Sequence, residues 1–216
     1  MKEQLSLNIP KISYKYGKLM VKKMVSLHEH QVVAHCAAYL LANKHAVNIL
    51  TVDNKHFEEV REIILFDLKT RYMNELGSEL KNKIREAKKI TLIHKIGTDI
   101  EARYITKGNT HQRNIKIEAK GGSDKLSYKI YTMLGQLMLL RDFGTDFWWF
   151  GIAVPSSWKK KIHEYMTSQD KMKPNIQLIN DAYPNRGLKF YFVEEDGKVK
   201  GSTWHGFLNK PLKNII

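Results

Sequence analysis

Cysteine is nearly absent from this chain. The single Cys36 among 216 residues excludes an intramolecular disulfide and any cysteine-built zinc cluster. It sits in an apolar run and is expected to be a small buried hydrophobe. Long hydrophobic runs are also missing. The longest, Val32 to Ala42, is interrupted by His35 and is too short to cross a bilayer. The opening residues Met1-Lys2-Glu3-Gln4 lack the pattern of a signal peptide, so a cytoplasmic chain with no membrane partner is expected. There is no internal repeat, low-complexity tract or evident linker. Acidic residues are scarce relative to basic ones. Asp+Glu number 22 against 36 Lys+Arg, a formal charge of +14 and a pI of about 9.7. Such an excess says little about fold and much about partners, of which polyanions, nucleic acid first, are the natural class.

What is present supports one globular core. Hydrophobic residues make up 43% and aromatics 10%, more than a disordered chain carries. Residues 1–25 read as a basic arm, in which Lys15, Lys18, Lys22 and Lys23, interleaved with Tyr14 and Tyr16, are candidate DNA-phosphate contacts, the alternative being a solvated segment lying on the domain. Residues 26–216 read as a single domain, with 53–89 a candidate helical insertion. Val32, Val33, Cys36, Ala37, Leu40 and Leu41 fall at helical spacing, predicting a helix over 27–43, with Ser26 as N-cap and Glu29 at the capping-box position. Val47 to Val52 is β-rich. Phe57, Val60, Ile64, Leu68 and Tyr72 predict a second helix over 55–76, capped by Asp53 or Asn54 and ended by Gly77. The charged run 79–89 is expected to be helical.

Strands then take over, at 90–94, 99–105 and 114–120. An amphipathic helix over 124–141 follows, then a strand at 147–154 without alternation, hence buried on both faces. The aromatic run Phe147-Trp148-Trp149-Phe150 belongs to that core reading. Pro155-Ser156-Ser157 reads as a stop and a cap before a short helix over 158–166. Strands at 176–179 and 188–193 flank a turn at 183–187, and Asp196-Gly197 suits a hairpin turn. The order of elements is that of an α/β protein with a mixed central sheet flanked by helices.

Ile115, Ile117 and Ala119 alternate with Lys116, Glu118 and Lys120. This period of two places Glu118 and Lys120 side by side on one face of a strand. Asp99 opens the preceding strand. An antiparallel pairing joined near residues 106–113 brings Asp99 against Glu118, about 5 Å apart. Two carboxylates at that distance can share a divalent cation, and hard oxygen donors favour Mg²⁺, with Mn²⁺ as a substitute. The Ala119 carbonyl is a further candidate ligand, and Glu101, on the face of Asp99, an auxiliary one. Lys120 can stabilise charge on a reacting phosphate. The same acid-x-lysine pattern recurs at Asp53, Asp67, Glu79, Glu86 and Asp196, on predicted helices, caps or turns where the two side chains diverge. The alternative for Glu118 and Lys120 is a solvated strand face with a cross-strand ion pair, which contributes little.

The run Ile96 to Ala102, then Ile115 to Gly121, then Gly135-Gln136-Leu137 resembles the PD-(D/E)XK nuclease superfamily, with its restriction-endonuclease-like fold. The resemblance covers residues 90–155. It implies a central mixed sheet flanked by helices and an active site of Asp99, Glu118, Lys120 and Gln136, with Glu29 the candidate for an acid from the first helix. Thr98 stands where the family has proline, and Leu140 where some members have tyrosine. The function implied is a metal-dependent DNA endonuclease, a restriction enzyme among the candidates, with a repair or junction-resolving nuclease as another. A homodimer is expected if both strands are cut. Rival readings are a non-catalytic nucleic-acid-binding protein on the same fold and an enzyme for a smaller phosphorylated substrate.

Other features are weighed on the same terms. His28, His30 and His35 lack the i, i+4 spacing of a helical zinc pair and read as ordinary helix histidines. Gly121-Gly122 before a helix could cradle an anion, but no Gly-Lys-Ser/Thr follows, so no nucleotide cofactor is expected. Trp158 with Lys159, Lys160 and Lys161 is a candidate DNA contact.

Overall fold

The computed structural model describes residues 27–42, 46–52, 55–75, 78, 81, 92–94, 99–105, 112–122, 125–139, 148–168 and 188–211. The basic arm, the charged run 79–89 apart from Lys81, the segments predicted at 176–179 and 183–187, and the proposed caps Ser26, Asp53 and Asn54 lie outside them.

Helix α1 (Glu29–Ala42) is followed by strand β1 (Ala46–Val52) and helix α2 (Phe57–Thr70). Strands β2 (Leu92–His94), β3 (Ile100–Ile105) and β4 (Gln112–Ala119) come next, then helix α3 (Leu126–Leu139) and strand β5 (Trp148–Pro155). A 3-10 turn (Ser156–Trp158) leads into α4 (Lys159–Ser168), and β6 (Lys189–Val193), β7 (Val199–Thr203) and α5 (Trp204–Leu208) complete the order. Among the described residues, seven strands form one mixed sheet in the order β2-β1-β3-β4-β5-β6-β7. β1, β3 and β4 pair antiparallel, while β5 runs parallel to both β4 and β6.

The period-two pattern sorts the strands' side chains into two cores. Ile100, Ala102, Ile115, Ile117 and Ala119 turn to the face covered by α1 and α2, where Val33, Ala37, Val60 and Ile64 are fully buried. Phe150, Ile152, Phe190 and Phe192 turn to the other face, against Ile130 and Met133 of α3, Ile162 of α4 and Trp204 of α5. The result is an α/β/α sandwich in which β5 is buried on both faces from Phe150 onward, as its lack of alternation predicts. The candidate insertion supplies α2, whose Val60, Ile64 and Leu68 join the same core as α1.

Several local expectations shift. His28 precedes the first residue of α1, and its backbone N–H donates to the Gln31 side chain at 2.9 Å. Gln31 thus performs the capping-box role assigned to Glu29, which is released for other use. α2 begins at Phe57, two residues later than predicted, with no side-chain cap at His56, and ends at Thr70. Ser156 donates its hydroxyl to Glu194 at 2.5 Å instead of capping a helix. The Asp196-Gly197 hairpin forms as expected between β6 and β7, with Gly197 at φ +83°. A Cβ there would come within 2.7 Å of the His35 ring, so glycine is required on both counts.

Candidate active site

The ladder between β3 and β4 ends at the pair Ile100 and Ile117. One step further, Asp99 and Glu118 face each other beyond the last paired rung. Asp99 Oδ2 accepts the Ala119 backbone N–H at 2.7 Å. A side chain thereby takes the place of the missing strand partner and fixes the carboxylate's orientation. In a strand, the N–H and C=O of one residue point to the same side, so the Ala119 carbonyl is aimed toward the same edge. The Lys120 N–H donates to the Ala153 carbonyl of β5 at 3.0 Å, which continues the sheet and anchors the lysine at the C-terminal end of two parallel strands.

Lys120 is the hub. Its Nζ lies 3.7 Å from Asp99 Oδ2, 3.9 Å from Glu118 Oε2 and 3.8 Å from Glu29 Oε2. Glu29 arrives from the first residue of α1 because β4 and α1 meet backbone to backbone. Gly122 N–H donates to the Leu27 carbonyl at 2.7 Å, and a Cβ on Gly121 would stand 2.5 to 2.6 Å from backbone atoms of Leu27, His28 and Glu29. The two glycines therefore join the strand to the helix. They are not a free anion cradle.

Three carboxylates around one ammonium strain the electrostatics. Glu118 is buried at 3% exposure. Burial first, and then the neighbouring Asp99 carboxylate, push its pKa up to about 8, against the pull of Lys120. A side-chain hydrogen bond between Asp99 and Glu118 favours the protonated form further. Burial also holds Glu29 above the usual carboxylate range, with Lys120 drawing it back down.

The helix that follows contributes a residue the sequence reading missed. Lys129 of α3 donates from Nζ to the Gly121 carbonyl at 2.7 Å, and its charge is felt by Glu29. Gln136, the expected contributor, lies seven residues further on, about 10 Å along the helix, and its buried Oε1 has no hydrogen-bond partner. Glu101 stands opposite Lys116, two rungs inward from the Asp99 pair. The sequence signal for Lys129 was its position beside Ile130, at the border of the buried stripe.

The lysines proposed for DNA divide. Lys15, Lys18, Lys22 and Lys23 lie outside the described residues. Lys159 pairs with Glu194 at 3.2 Å and sits 5.2 Å from the centre of the Phe192 ring, so it is committed within the fold. Lys160 and Lys161 are exposed. Trp158 is buried in the α3–α4 core and offers no stacking surface.

The histidines also separate. His35 Nδ1 is 2.6 Å from Oδ2 of the fully buried Asp67, whose other oxygen accepts from Arg71. His30 and His56 each lie 3.5 Å from Glu59, and burial lowers the His30 pKa.

Among the described residues, no three His, Cys, Asp or Glu side chains form a ready-made metal cage, and no helix is long and apolar enough to cross a membrane. No protein-family model, curated protein or solved structure matches the chain.

Proposed function

We propose that the chain is a metal-dependent nuclease of the PD-(D/E)XK type that hydrolyses phosphodiester bonds in DNA, with a restriction-endonuclease-like arrangement of its sheet and helices. The observation that carries the reading is the convergence of Asp99, Glu118 and Glu29 on Lys120 at the open end of β4. The overall charge of +14 supports a polyanionic substrate.

The donor set fits a hard divalent cation. Mg²⁺ keeps several waters and takes only one or two protein carboxylates, so a closed cage of three is not required. Glu118 and Asp99, facing each other one step beyond the last paired rung, are the residues that would hold it, with the Ala119 carbonyl and Glu29 beside them. Such a cation lowers the pKa of a bound water and neutralises phosphate charge. The remaining work falls to the chain. The Ala119 N–H keeps one Asp99 oxygen turned inward. Glu118 would act as a ligand in its deprotonated form. Lys120, already among the carboxylates, donates to the attacking water or to a non-bridging phosphate oxygen as charge develops. Lys129 steadies the Gly121 turn on which Lys120 depends.

The reading is tested by incubating supercoiled plasmid with Mg²⁺, Mn²⁺ or EDTA. Wild type should nick or linearise it with either metal and not with chelator. Glu118→Ala should bind DNA without cutting it. EDTA-sensitive nicking retained by that variant would refute the assignment. A non-catalytic binder predicts salt-sensitive binding with no cleavage under any metal.

A further inference from the structure

Among the described residues, three large hydrophobic side chains are exposed, and two of them lie on α3: Tyr128 at 69% and Tyr131 at 46%. The third, Phe66, is on α2. Tyr165 of α4 packs edge-to-face on Tyr131, with ring centroids 5.6 Å apart and planes at 85°. Tyr128, Tyr131 and Gly135 are spaced i, i+3, i+7 and so share one helix face. All three are exposed.

Gly135 adds an independent observation. Glycine inside a helix is unfavourable, and here no neighbour within 4 Å of a built Cβ demands it. Nothing among the described residues requires a bare backbone at that point, and glycine there leaves the helix backbone open to close approach by a ligand.

Charge identifies the occupant. Exposed Lys125 stands one turn before Tyr128, and exposed Lys161 one turn before Tyr165. α3 contains no acidic residue, and α4 contains only Glu164. Rings that present faces and edges to solvent between lysines match unpaired bases on a phosphate backbone. A duplex, whose bases are already stacked, cannot use the rings.

We infer that the exposed face of α3 and α4, from Lys125 through Tyr128, Tyr131 and Gly135 to Tyr165 and Lys161, binds single-stranded nucleic acid by stacking. The strip on α3 from Lys125 to Gly135 is about 15 Å long. It starts one helical turn from Lys129, which touches the Gly121 turn of the carboxylate site. Binding needs neither metal nor cleavage. That the strand held there is also the one cut, as a flap, overhang or opened junction, rests on the nuclease reading.

The test measures anisotropy of fluorescein-labelled dT20 and of a 20-base-pair duplex, in EDTA so that no cleavage occurs. Tyr128→Ala/Tyr131→Ala should weaken dT20 binding about tenfold or more and change duplex binding less than about twofold. Tyr128→Phe/Tyr131→Phe should retain dT20 affinity. Gly135→Ala should weaken it several-fold while raising Tm. Equal losses on dT20 and duplex, or none on dT20, would overturn the proposal. So would a double alanine variant whose sedimentation shifts from dimer to monomer with dT20 affinity unchanged, since the face would then cover a second copy of the chain. Loss of metal-dependent nicking with these results intact would fault the nuclease reading alone.

Discussion

Glu118→Gln removes one ionisable group and almost no volume. In wild type the carboxyl titrates near 8 when folded, against an ordinary value of 4.5. Between those values the folded state holds a proton that the unfolded state has released. Stability therefore falls as pH rises through that window, by about 1.4 kcal/mol per pH unit. Below pH 4.5 both states are protonated and the penalty vanishes. At pH 7 it is roughly 3 kcal/mol, comparable to what one fully buried isoleucine contributes. Glutamine keeps the shape and the contact with Asp99 and cannot ionise. Glu118→Gln should therefore match wild type at pH 4.5 and exceed it at pH 7 by a few kcal/mol, a rise in Tm of about 5–10 °C for a chain of this size. Differential scanning fluorimetry from pH 4.5 to 9 reads it directly. Millimolar Mg²⁺ should raise the wild-type Tm at pH 8 and leave that of Glu118→Gln unchanged. A pH-independent difference between the two proteins, or none, would show that burial beside Asp99 does not govern this carboxyl.

Lys120→Ala should lower plasmid cleavage by about 10²-fold or more, the scale for losing one donor to transition-state charge, while leaving duplex affinity within a few-fold by gel shift. Gly121→Ala should destabilise the chain by more than about 2 kcal/mol in urea unfolding, because its methyl would collide with backbone that cannot yield. Asp67→Ala should cost about 3–5 kcal/mol in the same assay, leaving the Arg71 charge unmatched. Duplex affinity of Glu118→Ala should fall steeply between 50 and 200 mM salt, with a log–log slope that counts the phosphates contacted.

The core of the site was legible because strand periodicity is strict. Once Ile115, Ile117 and Ala119 face inward, Glu118 and Lys120 must face together, and the hairpin register places Asp99 opposite. Glu29 was half legible. Ser26 and Glu29 match a capping box by residue type, whereas His28 at the N-cap does not, and only the folded contact of His28 N–H with Gln31 reveals the frame used. Lys129 was missed because a lysine beside an apolar stripe looks the same whether it reaches water or a neighbouring carbonyl. Gln136 was favoured by the resemblance alone, and seven residues of helix separate it from the position that touches the cluster. Asp67 carried a readable signal: it lies three residues after Ile64 and seven after Val60, on the stripe that becomes buried. Arg71, four residues on, was within reach by helical spacing, whereas His35 could not be inferred without the packing of α1 on α2. The sheet beyond β5 was less readable, because parallel strands joined by long connections leave no local register signal.

The β6–β7 hairpin seats Gly197 directly on the ring of His35, midway along α1, while the first residue of that same helix delivers Glu29 to Lys120. One rigid rod thus links the far border of the sheet to the chemistry. A side chain at position 197 would press on the Arg71 guanidinium and on the His35 ring, and through His35 on the middle of α1, without touching β3 or β4. On the nuclease reading, remote substitutions in this hairpin should alter the cleavage rate as well as substitutions at the carboxylates.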